Sequence, residues 1–392
     1  MWKEYKLEEL LSYEQPGAYI VESTDYNDAY DTPVLTAGKS FILGYTNETE
    51  GVFDRLPVII FDDFTTASQF VNFKFKVKSS AMKILNINNE LVIPKYIFYR
   101  MQIINIDHST HKRYWIQQYS KIKIKIPPKA EQEQIVSKIE ELFSSLDNAV
   151  ETLNKTKEQL EVYRQAVLKE AFEGRLTQYW RVINNKVNEW NVVSIKDLIK
   201  MDRNALKAGP FGSSLKKECY VSDGYKIYGQ EQVIAGDETI GNYYVDENKY
   251  QELITCKVVP GDVLISLVGT VGKVLVLSEN CKEGIINPRL IKVSLDKNKM
   301  LPQFFKYYFE SGYLRSLYKE KAHGATMDVL NLGMIRTLPF WCCPIDEQKQ
   351  VILEIESRMT LCDSIEQTVN TTLNEAEAMR QSILKEAFEG RL

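Results

Sequence analysis

The side chains best equipped for catalysis are few in this 392-residue chain, and their spacing works against it. The three histidines, His108, His111 and His323, have neither metal-ligand spacing nor an evident carboxylate or thiol partner. All six cysteines lie in the second half and none forms a C-x-x-C pair. They read as reduced thiols, not as a zinc site or a disulfide framework. Gly38-Lys39-Ser40 resembles the end of a phosphate-binding loop, but Pro33 stands where the opening glycine is required. Asn287-Pro288-Arg289-Leu290 begins like the adenine-methyltransferase motif and lacks its second proline and its aromatic residue. No G-x-G-x-x-G follows a strand pattern. The chemistry that remains is recognition, and the chain is expected to bind, without a metal site, and not to catalyse.

The recognition chemistry has a pattern. Phe73-Lys74-Phe75-Lys76-Val77-Lys78 and Lys121-Ile122-Lys123-Ile124-Lys125-Ile126 alternate with period two. As strands, each run would put all its lysines on one face. A single strand of this kind is equally well a solvated sheet face. Two of them, with Lys112-Arg113-Tyr114-Trp115 between, favour a surface that faces phosphates. The net charge of −4 does not oppose this, because much of the acid sits in a helical stretch that includes Glu131, Glu133, Glu140, Glu141, Glu151, Glu158 and Glu161. Further on, a glycine-punctuated loop, Gly209-Pro210-Phe211-Gly212-Ser213-Ser214-Leu215-Lys216-Lys217, is followed by Tyr228-Gly229-Gln230-Glu231. Strand patterns follow at Val263–Leu267 and after Gly284-Ile285-Ile286-Asn287-Pro288-Arg289. The aromatics of Phe304–Tyr318 recur at helical spacing and read as core.

What positions these residues is a duplication. Gln165–Leu176 returns as Gln381–Leu392 with only Ala to Ser and Val to Ile changed, an offset of 216 residues. Pro128, Glu131 and Gln132 return as Pro344, Glu347 and Gln348 at the same offset. The opening Trp2-x-x-Tyr5-x-Leu7-x-Glu9-Leu10 returns as Trp190-x-x-Val193-x-Ile195-x-Asp197-Leu198, offset 188. The repeating unit is thus a globular domain followed by a long segment, alike at its ends and unlike in its middle. Ile139, Leu142, Leu146, Ala149, Leu153, Thr156, Leu160, Tyr163 and Val167 step by three and four, as in a coiled-coil helix. Ile355, Arg358, Cys362, Ile365, Val369, Thr372, Ala376, Met379 and Ile383 do the same. Proline at each entrance and glycine at each exit (Gly174, Gly390) suit helix ends. Glu131 to Glu173 would form a rod of roughly 65 Å at 1.5 Å per residue.

The length accommodates two domains with connectors. The expected division is a first domain over 1–127, a long helix over 128–176, a connector over 177–189, a second domain over 190–343 and a second long helix over 344–392. The fold class is α+β: two globular α/β domains separated by two long antiparallel helices in a coiled coil, a pseudo-two-fold internal repeat. Helix–helix packing is assigned to Ile139, Leu146, Leu153, Leu160, Val167, Ile355, Ile365, Val369, Met379 and Ile383. No apolar run approaches the ~18 residues of a membrane span, and the N-terminus lacks the apolar stretch of a signal peptide. A cytoplasmic protein with no membrane partner is expected.

In their order and number, the P-x-x-E-Q entrances, the LKEAFEGRL exits, the two Trp-led openings and the Gly-Pro-Phe-Gly-Ser and Tyr-Gly-Gln-Glu segments resemble the specificity subunits of type I DNA restriction–modification systems, over the whole chain. The resemblance implies a bacterial or archaeal, non-catalytic subunit of an adenine-N6 methyltransferase and restriction endonuclease complex. Each globular domain would be a target-recognition domain reading one half of a split double-stranded DNA sequence. The helices would set the spacing and dock two methyltransferase subunits, and two restriction subunits can join. No cofactor would be bound by this chain: S-adenosylmethionine belongs to the methyltransferase partner, ATP and Mg to the restriction partner. Expected DNA contacts in the first domain are Lys39, Ser40, Tyr45, Lys74, Lys76, Lys78, Lys112 and Arg113. In the second they are Lys207, Ser213, Ser214, Lys216, Lys217, Tyr228, Gln230, Thr270, Arg289 and His323. Among them Gln230 suits adenine and Arg289 guanine. A scaffold held together by its coiled coil, without DNA affinity, and an enzyme with an unseen nuclease or methyltransferase site are the competing readings.

Overall fold

A computed structural model describes residues 2–38, 40–106, 113–322 and 330–392, with side chains left undescribed at 319–322. In chain order its first elements are β1 (Lys3–Lys6), α1 (Leu7–Leu10), β2 (Leu11–Glu14), β3 (Thr32–Leu35), β4 (Ile42–Thr46), β5 (Val58–Asp62), β6 (Ser68–Val71), β7 (Lys76–Val77), β8 (Met82–Ile87), α2 (Pro94–Met101), α3 (Tyr114–Gln117), β9 (Lys123–Ile126) and the long α4 (Lys129–Phe172). Then come α5 (Gln178–Ile183), β10 (Asn191–Val193), α6 (Ile195–Leu198), β11 (Leu206–Ala208), β12 (Tyr225–Tyr228), α7 (Gln230–Ala235), β13 (Tyr244–Val245), α8 (Glu247–Glu252), β14 (Lys257–Val258), β15 (Val263–Ser266), β16 (Val274–Val276), β17 (Gly284–Ile286) and β18 (Leu290–Val293). The last are α9 (Pro302–Phe309), α10 (Gly312–Ala322), α11 (Leu332–Thr337), β19 (Phe340–Cys342) and the long α12 (Ile345–Phe388). Among the described residues no helix is long and apolar enough to cross a membrane.

By contacts the chain divides into Met1–Asn154 with Asn370–Leu392, and Lys155–Val369. Each unit therefore holds a globular domain, the start of the helix that follows that domain and the end of the other long helix. The first unit contains an antiparallel sheet in the order β2-β8-β5-β6, a sheet β4-β3-β7 and a ribbon β1-β9. Its main core packs Tyr96 and Ile97 of α2 with Ile59 and Phe61 of β5, Ile139 and Phe143 of α4, and Leu384 and Phe388 of α12. The second unit contains sheets β11-β18-β15-β16 and β13-β12-β17-β14 and a ribbon β10-β19. Its main core packs Phe304, Phe305 and Tyr308 of α9 with Val351 and Ile355 of α12 and Val167, Ala171 and Phe172 of α4.

The duplicated motifs are the frame of each unit. Trp2 Nε1 donates to Glu131 at 2.9 Å, and Trp190 Nε1 donates to Glu347 at 2.8 Å. The opening tryptophan is thereby fastened to the entrance of the helix that follows its domain. Gln132 and Gln348 are fully buried. Gln132 accepts from the amide of Ile93 and donates to the carbonyls of Leu91 and Pro127. Gln348 accepts from Leu301 and donates to Lys299 and Cys343. Each glutamine joins the segment before a short helix (α2 or α9) to the residue leaving the ribbon, and satisfies backbone groups no helix or sheet reaches. The exits are equally plain. Gly174 and Gly390 both adopt φ +71°, the left-handed C-terminal cap that glycine takes without strain. Phe172 meets Phe304 and Tyr308 edge-on at 5.3 and 5.0 Å, and Phe388 meets Tyr96 at 5.2 Å.

The segment expected as a polar connector contains α5, and it is tied down in the second unit. Thr177 and Arg181, both buried, bond to the Glu347 carboxylate that also takes Trp190. All six cysteines are free, and burial pushes the Cys342 and Cys343 thiols up, away from the reactive thiolate.

Within each unit α4 and α12 pack antiparallel, but on a different seam from the one expected. Ile139, Leu160, Val167, Ile355 and Val369 are buried, and Leu146, Leu153 and Ile383 half-buried, as predicted. Ile365 and Met379 are not packed: they are 37% and 55% exposed. Ala149 and Tyr163 are exposed as well, and Val150, Arg164, Glu366, Leu373 and Arg380 take the alternate rungs. The two seams share every second rung, so apolar content does not choose between them. Charge does. Arg164 lies 2.8 Å from Asp363 and 3.0 Å from Glu366 in the second unit. Its repeat partner Arg380 pairs with Asp147, the repeat partner of Asp363, in the first. The Arg380 guanidinium also lies over Phe143, 4.5 Å from the ring centre.

Candidate nucleic-acid interface

The second unit brings three motifs to one place. Strands β12 and β17 run parallel with Tyr228 opposite Ile286, which sets the turn after β12 beside the turn after β17. The amide of Asn287 donates to the Tyr228 carbonyl at 2.8 Å. A Cβ at Gly229 would come within 2.8 Å of the Asn287 side chain, and one at Gly209 within 1.9 Å of the Asn287 carbonyl. Gly209 is therefore required for Gly-Pro-Phe-Gly-Ser to close on the Asn287 backbone, while a side chain at 229 would displace the Asn287 amide. The Gly209 amide completes the join by donating to Leu290 at 2.9 Å.

Around this junction lies an open cavity of about 720 Å³, lined by Gly212, Lys217, Tyr220, Gln230, Glu231, Tyr243, Asn287 and Arg289 among others. Arg289 is exposed, and no ion pair reaches its guanidinium among the described residues. Its amide donates to Asn287 Oδ1 at 2.9 Å, and its carbonyl accepts from Leu267 at 3.0 Å. Gln230 donates to the Val268 carbonyl and accepts from Arg289 Nη1 at 3.4 Å. Tyr220 and Tyr243 pack at 5.5 Å between ring centres. Burial, with Tyr243 and the Glu231 carboxylate nearby, pushes the Tyr220 phenol up, so it stays a neutral donor near pH 7. The rim combines cations, a carboxylate, an amide and phenols, a mixture suited to polar edges with both donors and acceptors.

The expected contacts distribute as follows. Lys217, Gln230 and Arg289 line the cavity, and the exposed Ser213 and half-buried Ser214 follow Gly212 on its rim loop. Lys216 is exposed beside Lys217, and Lys207 is half-buried on β11. Thr270 is exposed on the β15–β16 turn, two residues past the Val268 carbonyl that takes Gln230. Tyr228 is a correction. It is fully buried on β12, its hydroxyl donates to the Lys282 carbonyl at 2.7 Å, and burial pushes the phenol up. A strand with neighbours on both sides keeps that aromatic in the core. Asn287, Glu231, Tyr220 and Tyr243 were missed by sequence reasoning. The signal for Asn287 was present in Asn-Pro-Arg but was weighed only as a catalytic motif.

In the first unit Ser40, Lys74, Lys78 and Arg113 are exposed and Tyr45 is half-buried on β4. The Lys78 amide bonds to Leu35 of β3, and its ammonium stands 5.8 Å from the Tyr26 ring. Lys76 is the second correction. It is buried, donates to the Glu50 carbonyl at 2.7 Å and pairs with Glu48 at 2.7 Å. The Lys76 ammonium, helped by the Ser23 amide, holds the Glu48 carboxyl below the usual carboxylate range. The alternation fails here because Phe75, Lys76 and Val77 are all buried, so both faces of the strand are covered. In β9 the alternation holds: Lys123 and Lys125 are exposed, Ile124 and Ile126 buried. Lys39, Lys112 and His323 lie outside the described residues. Among the described residues no group of three His, Cys, Asp or Glu side chains is placed to hold a metal ion.

Comparison with known proteins supplies the rest. The specificity subunit of the type I restriction enzyme EcoR124I/EcoR124II from Escherichia coli is 44% identical over 174 residues, 41% of this chain and 43% of that protein. That of StySPI from Salmonella potsdam is 28% identical over 284 residues, 69% of this chain and 58% of that protein. The chain thus spans about half the length of the curated relatives it matches. A chain from a solved structure on complex assembly and conformational transition of the type I R-M system shares the fold, with a TM-score of 0.72 at 15% identity, covering 100% of this chain and 98% of that one. The family described as Type I restriction modification DNA specificity domain matches residues 1–162 and again 187–375, once over each copy of the repeated frame. With that double match the chain belongs to the type I restriction modification DNA specificity domain family.

Proposed function

We propose that this chain is the DNA-reading subunit of a type I restriction–modification complex. Each unit reads one half of a bipartite duplex target, and the long helices set the spacing between the halves and dock two methyltransferase subunits. The observation that carries this reading is one frame built twice around unlike faces. The Trp–Glu bond, the buried glutamine tie and the phenylalanine exit recur in both units. The Arg289 platform, in contrast, is built from sequence of the second domain alone. A common frame with two different faces suits one task performed on two different sequences, as repeated readers match split sites. Lysines and arginines at the rims hold phosphates, and polar groups at the centre read base edges.

Adenine methylation with S-adenosylmethionine and ATP- and Mg-dependent restriction are the work of the partner subunits, in the cytoplasm. The test is methylome sequencing of cells that carry this chain with its methyltransferase partner. A motif of two short halves separated by an unspecified spacer is expected. A continuous motif, or DNA affinity without salt dependence, overturns the proposal.

A further inference from the structure

We infer that the second unit reads a G·C base pair with Arg289, and that Gln230 is the positioning residue that aims it; the inference rests on the DNA-reading function proposed above. Arg289 is exposed, and its backbone is held at both ends. Its amide is fixed on Asn287 Oδ1 and its carbonyl on the Leu267 amide, so the backbone on both sides of Cα is pinned. The ledge beneath it tolerates only glycine at 209, where a Cβ would strike the Asn287 carbonyl. The guanidinium is unneutralised among the described residues and touches Gln230 Oε1 through Nη1 alone. That leaves most of its five donors for a ligand, in the fork that matches guanine O6 and N7.

Gln230 is expected from its chemistry to suit adenine; here it is assigned the aiming of Arg289 instead. A bidentate contact with adenine needs both its amide nitrogen and its carbonyl oxygen. Here one N–H already donates to the Val268 carbonyl and the oxygen accepts from Arg289 Nη1 at 3.4 Å, which fixes the direction of the amide. The amide bridges the β15–β16 turn to the guanidinium and limits the side chain's rotation.

The charge of the cavity separates a base edge from a phosphate. Lys217 and Arg289 alone would suit phosphate, but Glu231 lines the same cavity. A carboxylate there repels an anion and accepts from the cytosine amino group. Arginine and glutamate lining one cavity fit the two edges of one G·C pair.

The experiment uses the full chain assembled with its methyltransferase partner and a library of duplexes randomised across both half-sites. Bound pools are sequenced for the wild type, Arg289→Gln, Arg289→Lys and Gln230→Ala. The wild type is expected to select a G·C pair at a position where Arg289→Gln lowers the preference about tenfold or more. The other positions, the other half-site and the spacer stay unchanged, as does the thermal unfolding midpoint. Arg289→Lys does not restore the preference, because an ammonium has no fork. Gln230→Ala loosens the same position by a smaller factor and no other.

An unchanged pool for Arg289→Gln overturns the inference while leaving the proposed function intact. An unchanged pool for Gln230→Ala, beside a changed one for Arg289→Gln, overturns the positioning role. A wild-type pool with no bipartite sequence overturns the proposed function and the inference together.

Discussion

Buried amides and lysines decide more here than exposed ones. Gln348 holds one amide and two carbonyls, and the carbonyls otherwise receive the weakly donating Cys342 thiol. Gln348→Ala is therefore expected to cost about 2 kcal/mol or more, because each buried group left unpaired costs about 1–3 kcal/mol. Urea unfolding of the full chain measures it, and a loss below about 0.5 kcal/mol would show that water replaces the tie. The lysines of the first domain part company for the same reason. Lys74→Ala removes an exposed charge, and under the proposed function it should weaken duplex binding evenly across sequences and reduce the salt slope by about 1. Lys76→Ala instead leaves Glu48 without its cation, held by the Glu22 and Ser23 amides alone, and should cost about 1.5–3 kcal/mol of stability with the salt slope unchanged. Salt titrations and unfolding curves on the two variants separate them. A salt-slope change in Lys76→Ala would contradict the buried ion pair.

At the scale of elements, the long helices show how little an apolar stripe settles. The residues from Ile139 to Val167 fit two seams that share alternate rungs. The Arg164–Asp363 and Arg380–Asp147 pairs fall on only one of them. Ile365→Lys and Met379→Lys are thus expected to move the thermal midpoint by no more than about 1–2 °C, the usual range for surface changes. Val369→Lys places a charge at a site only 4% exposed and should cost several kcal/mol. Met379→Lys reads out the register: Val369 sits on a rung both seams share and is the positive control, whereas a Met379→Lys protein as destabilised as Val369→Lys would mean the other seam. The short frame motifs were legible as recurrences along the chain, but the bonds they make were not. Trp2 with Glu131, and Trp190 with Glu347, are motif residues whose pairing needed only coordinates to join them.

On the scale of the whole molecule, α4 runs unbroken from Lys129 to Phe172 through the point where the chain passes from one unit to the other. Inserting four residues within Lys155–Leu160 adds about 6 Å of helix, roughly two base-pair rises. Under the proposed function the spacer of the methylated motif should change while both half-sites are kept, and methylome sequencing would show it. An unaltered spacer would mean that the helix does not set the separation. The sequence by itself determined the duplication and the long helices with their capped ends, because these depend on local periodicity, backbone propensity and exact recurrence; the recognition class came from the resemblance its motifs carry. Tertiary structure alone decided which seam the helices use, which lysine faces water and which amide serves an arginine. Those outcomes turn on groups far apart in sequence: Asp147 against Arg380, Glu48 against Lys76, Val268 and Arg289 against Gln230. No pattern along a single strand or helix records a partner that the fold brings from elsewhere, which is why Lys76 and Tyr228 looked available in sequence and are buried in the folded chain.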